Sequence, residues 1–262
     1  MKLRRIFVDP KVISSGTVEL GTSDTRYLKR VLRLKCNDFV RVFDGTYEYV
    51  VRLAAWSGEK AIGHIVRKSS PDSGGRIAMT LAVCCVRPAP LEEIFRHGTE
   101  LGVTRFVPVL SSRCARKPQE RKTRWQSIVA GAAAQAARVD LPVLESPTSL
   151  HELLARPVEE DLRMLLSLSP DALPMPAILA EQCPTRVTVL VGPEGGLNPA
   201  EEALTLEHGY KPASLAETIL RTETAALVAV GLIAAWCRWR AAAKAASDEH
   251  RDHGEDPCRD AP

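Results

Sequence analysis

LVGPEGGLNPAEEAL, Leu190 to Leu204, is the stretch on which the fold turns. An apolar run enters a loop of Gly192, Pro193, Glu194, Gly195 and Gly196. Asn198 then stands where a helix N-cap belongs, with Glu201 and Glu202 in the first turn beside the positive helix end. A strand that turns through glycines into a helix is a unit of an α/β sheet, and such sheets bind ligands beyond the carboxyl ends of their strands. The glycines let backbone groups approach a ligand closely. The same residues also make an ordinary strand-to-helix turn, and the pattern is neither GxGxxG nor a Walker loop, so the stretch alone leaves both readings open.

Downstream lies SLAETILRTETAALVAVGLIAAW, Ser214 to Trp236. Thr222 is placed to cap the apolar helix that follows, expected over about Thr222 to Arg240, and Glu223 to face its positive end. Arg221 is less easily assigned to capping, because a guanidinium beside a ligand-binding loop holds phosphate or developing negative charge. Upstream, Met79 to Val86 and Arg105 to Leu110 read as buried strands flanking a helix at Leu91 to Glu100. An Ala-rich helix follows at about Arg121 to Arg138, then strands near Arg163 to Leu168 and Val187 to Val191. This alternation predicts a mostly parallel sheet covered by helices.

Residues 1–70 have a different texture, with short alternating strands around one helix at Tyr27 to Leu34. In that helix Leu28, Val31 and Leu32 recur at core spacing, leaving Arg26, Lys29, Arg30 and Arg33 toward solvent. Asp44-Gly45 supplies a hairpin turn between Phe39 to Phe43 and Tyr47 to Leu53. SSPDSGGR, Ser69 to Arg76, has no hydrophobic periodicity and is the expected domain boundary. Beyond Ala245, SDEHRDHGEDPCRDAP has little to bury, so residues 246–262 are expected to be a disordered tail.

Composition fixes the class. The chain has 262 residues, 45% hydrophobic and 26% charged, enough for two cored domains. Its net charge of +3, from 35 basic and 32 acidic residues, makes the distribution of charge matter more than the total. MKLRRIFVDP reaches Asp9 and Pro10 without the apolar core of a signal peptide, so a cytoplasmic protein is expected. No run approaches the ~18 consecutive apolar residues of a membrane span, so no membrane association is expected. Seven cysteines without a CxxC pair, and six scattered histidines without HExxH spacing, argue against a disulfide framework or a metal site; most of the cysteines are expected in the core.

Taken together, these motifs resemble the SPOUT-class family of 16S rRNA uridine N3-methyltransferases. The residues that carry the resemblance are TELGVTRFVPVLSSRC (Thr99 to Cys114), Trp125 with Gln135 and Arg138, GPEGG followed by Glu201 or Glu202, and ILRTETA (Ile219 to Ala225). YLKRVLRL (Tyr27 to Leu34) and FDG (Phe43 to Gly45) resemble the family's first domain. The resemblance covers roughly residues 1–240.

It implies an N-terminal PUA-like β-barrel for RNA at 1–70 and an α/β SPOUT domain with a trefoil knot at 76–242. The family's cofactor is S-adenosyl-L-methionine. By similarity it would be cradled by the backbone of Leu190, Val191, Gly192, Pro193, Gly195 and Gly196, together with Leu215, Ala216, Ile219 and Leu220. The expected partners are small-subunit ribosomal RNA or the 30S subunit, and a second copy in a homodimer. Arg221 is the candidate for stabilising charge on the uracil oxygens, and Glu194 or Glu223 for orientation or proton removal. RNA contacts are expected from Arg26, Lys29, Arg30 and Arg33, and from Arg113, Arg116, Lys117, Gln135 and Arg138, some of them in the basic run that extends to Arg124. Departures from the family pattern fall at Pro90, His97, Ala134 and Ala216-Glu217. They support a second reading, a diverged relative that binds RNA or cofactor with lost or altered activity. A nucleotide-phosphate enzyme is a third, without a Walker lysine to support it.

Overall fold

The computed structural model describes residues 3–70, 77–114 and 122–252. The N-terminal segment forms a six-stranded sheet from β1 (Arg5–Phe7), β2 (Ile13–Ser14), β3 (Thr17–Leu20), β4 (Phe39–Phe43), β5 (Glu48–Ser57) and β6 (Lys60–Ser69), in the order β1-β4-β5-β6-β3-β2. The hairpin turn falls at Asp44-Gly45 as expected. Gly45 has φ of 94°, and the Asp44 carboxylate accepts from the backbone N–H of Thr46 and Tyr47 at 2.8 and 2.7 Å. Alternate residues of these strands, among them Val18, Leu20, Val40, Val42, Val51 and Leu53, close the core.

Helix α1 (Thr22–Arg26) starts earlier than the sequence suggested and runs on into a wider turn over Tyr27–Val31, where Leu32 N–H donates to Tyr27 O, five residues back. That widening shifts the apolar spacing. Leu28 is fully buried, but Val31, expected in the core, is 64% exposed.

The chain then alternates through β7 (Ala78–Cys84), α2 (Pro88–Leu101), β8 (Arg105–Leu110), α3 (Lys122–Gln135), β9 (Val143–Leu144), β10 (Thr148–Ser149) and α4 (Leu150–Leu154). It continues through β11 (Leu162–Leu166), β12 (Leu173–Pro174), α5 (Met175–Gln182), β13 (Arg186–Val191), α6 (Pro199–Glu207), β14 (Lys211–Ser214) and α7 (Thr222–Asp252). The sequence reading missed the short elements α4, α5, β9, β10, β12 and β14. β14 is KPAS, in which Pro212 and two polar residues hide any alternation.

Packing divides the chain into two compact units, and the division is not the single cut near residue 70 that composition suggested. The first unit takes Met1–Ser73 together with Pro88–Phe106 and Pro118–Ser146; the second takes Gly74–Arg87, Val107–Lys117 and Pro147–Pro262. Of the expected boundary, Ser69 to Arg76, Ser69 ends β6, and residues 71–76 lie outside the described residues.

In the first unit α2 packs on α3. Phe95 meets Phe106 and Trp125 edge-on with ring centroids 5.2 Å apart in both pairs, and Glu92 takes a two-pronged grip on Arg124 at 2.6 and 2.7 Å.

The sheet of the second unit follows the order β10-β8-β7-β13-β11-β14-β12. β13 pairs in parallel with β7 and β11, and β14 in parallel with β11 and β12. The central strands are covered on both faces, which is why β13 buries every residue after Arg186. Helix α7 runs to Asp252, so the expected tail from residue 246 begins inside a helix; residues 253–262 lie outside the described residues. Over Thr222–Ala243 this helix is long and apolar enough, by length and composition, to cross a membrane, contrary to the expectation from uninterrupted runs. Here it buries Ala226, Ala229, Val230 and Ile233. Of the cysteines, Cys84 and Cys85 are buried whereas Cys36 and Cys183 are exposed, so the expectation of mostly core cysteines holds for only part of the set.

Candidate functional site

Three neighbouring parallel strands of the second unit, β13, β11 and β14, release their chains at the same sheet edge. The loops that follow them wall a cleft of about 490 Å³. Leu165 to Ser169 form one wall, Val191 to Leu197 a second, and Leu215 to Thr222 a third. This is the carboxyl edge at which α/β sheets bind small molecules, and the volume is that of an ordinary ligand pocket.

The glycine loop is held rigidly from behind. Gly196 has φ of 67°, a backbone that other residues adopt only with strain, and its N–H donates to Pro193 O at 2.8 Å. Asn198 caps α6 as expected. Its side-chain oxygen accepts from Glu201 N–H at 2.9 Å, and the Glu201 carboxylate accepts from Asn198 N–H at 3.0 Å.

That carboxylate also accepts from Ser112 N–H at 2.7 Å and Ser112 Oγ at 3.0 Å. Burial pushes the Glu201 carboxyl up. The hydrogen bonds from Asn198 and Ser112, with the Arg113 charge, nevertheless hold it below the usual carboxylate range. Arg113 Nη1 donates to the carbonyls of Gly195 and Leu197 at 2.9 and 3.4 Å, so a residue expected on RNA braces the loop.

On the opposite side Thr222 is the first residue of α7, not the residue before it. Its hydroxyl donates to Gly192 O at 3.2 Å and ties the second wall to the third.

The candidate catalytic residues separate. Arg221 and Glu194 are both exposed on the cleft, and among the described residues neither side chain has a polar partner. Glu223 does not line the cleft, because the first turn of α7 carries it away from the wall. Of the expected cofactor residues, Val191, Gly192, Pro193, Gly196, Leu215, Ala216, Ile219 and Leu220 line the cleft. Leu190 is fully buried in the core beneath it, and Gly195 faces Arg113 instead. Ala216, a departure from the family pattern, stands on the wall of this cleft.

The sequence reading missed the first wall. Within it Ser167 Oγ donates to Glu202 at 2.9 Å, a polar pair beside the apolar lining of Leu165, Leu168 and Ile219. LLSLS at the end of an apolar strand was the available signal.

Among the expected RNA contacts, Arg26, Lys29, Arg30, Arg33 and Gln135 are exposed in the first unit. Arg138 is not one of them. It is 8% exposed, and its guanidinium donates to the carbonyls of Thr99 and Val103 at 2.7 and 2.8 Å and to Asp140 at 2.6 Å. Its role is to hold the end of α2. Arg116 and Lys117 lie outside the described residues.

A profile of the RNA methyltransferase domain family matches residues 74–234. The Synechocystis protein named ribosomal RNA small subunit methyltransferase E is 34% identical over 232 residues, which is 87% of this chain and 76% of that protein. The protein of the same name from Rickettsia conorii is 27% identical, over 89% of this chain and 96% of its own length.

Among solved structures, the Neisseria gonorrhoeae ribosomal RNA small subunit methyltransferase E bound to S-adenosyl methionine superposes with a TM-score of 0.78 at 28% identity, covering 87% of this chain and 95% of that one. A putative methyltransferase from Legionella pneumophila in complex with the bound cofactor gives 0.77 at 25% identity, over 90% and 98%. A profile match over more than half of the chain and a relative one-third identical across most of both sequences are sufficient to place it: the chain belongs to the ribosomal RNA small subunit methyltransferase E family.

Proposed function

We propose that this protein transfers the methyl group of S-adenosyl-L-methionine to N3 of a uridine in 16S rRNA. The observation that carries this reading is the cleft at the carboxyl ends of β11, β13 and β14, with Arg221 free on its wall, in a chain of this family.

The residues present fit the cofactor. Leu165, Leu168, Val191 and Ile219 offer apolar surface for an adenine ring, the Gly192 to Gly196 backbone offers hydrogen-bonding groups, and the Ser167–Glu202 pair offers polar partners. When bound, the cofactor supplies an electrophilic methyl on a sulfonium.

The protein's own part is placement and charge. N3 of uridine must lose its proton, because a neutral imide nitrogen is a poor nucleophile. The unpartnered guanidinium of Arg221 is suited to meet the negative charge that then spreads onto the uracil oxygens. Glu194, exposed on the same cleft, is the remaining candidate for orienting the base or accepting the proton; Glu223 is not. Thr222 and Arg113 position the loop on which Glu194 lies.

The proposal includes a PUA-like barrel for the six-stranded sheet, a trefoil knot around the cofactor loops, the 30S subunit or its RNA as partner in the cytoplasm, and a homodimer. Trp239 and Val228, 68% and 37% exposed on α7, give a second copy apolar surface to cover.

The test is calorimetric titration with S-adenosyl-L-methionine, followed by mass mapping of small-subunit rRNA incubated with protein and donor. Saturable binding and one new methyluridine are the expected results. Binding without a methylated nucleotide would leave the diverged relative as the better reading.

A further inference from the structure

Two thiols of the second unit lie beneath the glycine loop and take no part in the chemistry proposed above. Cys84 ends β7 and is fully buried; Cys114 stands just beyond β8 and is half-buried. Both pack in one apolar cluster with Val107, Val109 and Leu197, the last of these on the second wall of the cleft.

A turn brings Cys114 back toward the end of β8, closed by its N–H donating to Ser111 O at 3.2 Å. Ser111 N–H donates to Cys114 Sγ at 3.2 Å, and Ser111 Oγ lies 3.3 Å from the same sulfur. The Cys84 thiol is hydrogen-bonded to it as well. That bond leads in bringing the Cys114 thiol down to about 6, and the same bond, with burial, holds Cys84 well above the ordinary thiol value. Near neutral pH the proton of the pair rests on Cys84 and the negative charge on Cys114, the arrangement of a reactive thiolate beside a reserve thiol.

The residues inside this turn also brace the cleft. Ser112 donates to Glu201 through its N–H and its hydroxyl, and Arg113 donates to the carbonyls of Gly195 and Leu197. Whatever moves Cys114 therefore moves the ties on the glycine loop.

We infer that Cys84 and Cys114 form an oxidation site for hydroperoxides, in which a disulfide between them displaces the turn and releases the glycine loop. The Cys114 thiolate attacks one peroxide oxygen, so an S–O bond forms, the O–O bond breaks, and the departing hydroxide takes a proton to become water. The Cys84 sulfur then attacks the Cys114 sulfenic acid, and the hydroxyl leaves as a second water with the Cys84 proton. The two thiols are oxidised and the peroxide is reduced. A disulfide holds its sulfurs about 2 Å apart, well inside the reach of a thiol hydrogen bond, so the chain at Cys114 has to follow its sulfur inward. The effect on the cleft rests on the reading of that cleft as the methyl-donor site; the disulfide does not.

The test treats the reduced full chain with hydrogen peroxide, alkylates the remaining thiols, and maps the digest by mass without reduction. Calorimetric titration with S-adenosyl-L-methionine is run on reduced, oxidised and dithiothreitol-recovered protein. The expected product joins the peptide carrying Cys84 to the one carrying Cys114, with Cys36 and Cys183 still open to alkylation. Donor affinity is expected to fall roughly fivefold or more on oxidation and to return with dithiothreitol. Cys114→Ser keeps a hydrogen-bonding atom beside Ser111, and its donor affinity is expected to stay within about twofold of reduced wild type whether or not peroxide is added. Cys84→Ala, once shown by its melting curve to be folded, is expected to stop at a Cys114 sulfenic acid that dimedone traps.

Peroxide-treated wild type in which Cys84 remains free to alkylate would overturn the inference, as would a Cys84–Cys114 disulfide that leaves donor affinity unchanged. Reduced wild type that binds no donor would instead sink the reading of the cleft, and a mapped disulfide in that protein would still support the oxidation site.

Discussion

Replacing Arg138 by methionine separates two roles that its sequence position left open. The guanidinium is 8% exposed and makes two hydrogen bonds to carbonyls of the α2 end and one to Asp140. Methionine refills most of the aliphatic volume but removes this donor from both carbonyls; Thr99 O keeps the Gly102 N–H at 3.2 Å and loses about 1 kcal/mol, whereas losing the donor to Val103 O costs the ~1–3 kcal/mol of a buried group left unsatisfied. Loss of the ion pair with Asp140 adds less, because that carboxylate is partly exposed to water.

Together these terms predict a loss of ~3–4 kcal/mol, a large share of the ~5–15 kcal/mol that holds a typical domain folded. At roughly 2–4 °C per kcal/mol, the melting temperature should fall by about 10 °C. Urea and thermal unfolding measure this, and RNA titration at a temperature where the variant is fully folded measures the other role. A melting temperature within about 3 °C of wild type, together with weakened RNA binding and a shallower salt dependence, would refute the structural role and restore Arg138 as an RNA contact.

Two further predictions concern the cleft and the loop behind it, and a third concerns a thiol. Arg221→Ala should lower turnover by about 100-fold, the cost of losing one group that meets developing negative charge, with a smaller effect on donor affinity; unchanged turnover would remove it from the mechanism. Glu201→Ala removes the capping box and the tie to Ser112, so it should cost about 1–2 kcal/mol of stability and weaken donor binding roughly fivefold by loosening the glycine loop, which calorimetry would show.

The Cys114 thiol is brought down to about 6 by its hydrogen bond with the Cys84 thiol and then, against the opposing effect of burial, by those from Ser111. Its thiolate therefore forms as pH rises through that value. Iodoacetamide labelling at pH 7 should fall sharply in Cys114→Ser, and labelling that rises only above pH 8 would show the thiol to be unactivated.

What the sequence disclosed follows the range of the interactions involved. Asn198 and Glu201 announce their helix start because a capping box is made by residues three apart, and Asp44-Gly45 announces its turn for the same reason. The alternation of strands and helices was equally readable, since each buried strand writes its own apolar run.

Sheet order is not written in that way. Leu165 to Ser169 joined the cleft only because β11 pairs beside β13, a long-range choice that leaves no local pattern. Arg138 misled because the sequence shows a charge and not the two carbonyls waiting for it in the interior. Val31 misled because a five-residue turn replaced the four-residue one that periodicity assumes. Helix α7 was underestimated because its scattered charges break any run of apolar residues without breaking the helix.

The pairing of β7 with β13 has a consequence for how the protein is made. Ala78 lies opposite Arg186, so a central seam of the sheet waits for more than a hundred residues of intervening chain to be synthesised. The third wall of the cleft is later still, ending at Thr222. Closing so long a loop is paid for before the contacts reward it, which makes such parallel seams slow to form. A nascent chain that stops short of Leu215 has no complete pocket, so donor capture marks a chain that has finished folding. Pulse-labelled chains of increasing length should acquire donor-dependent protease resistance in one late step.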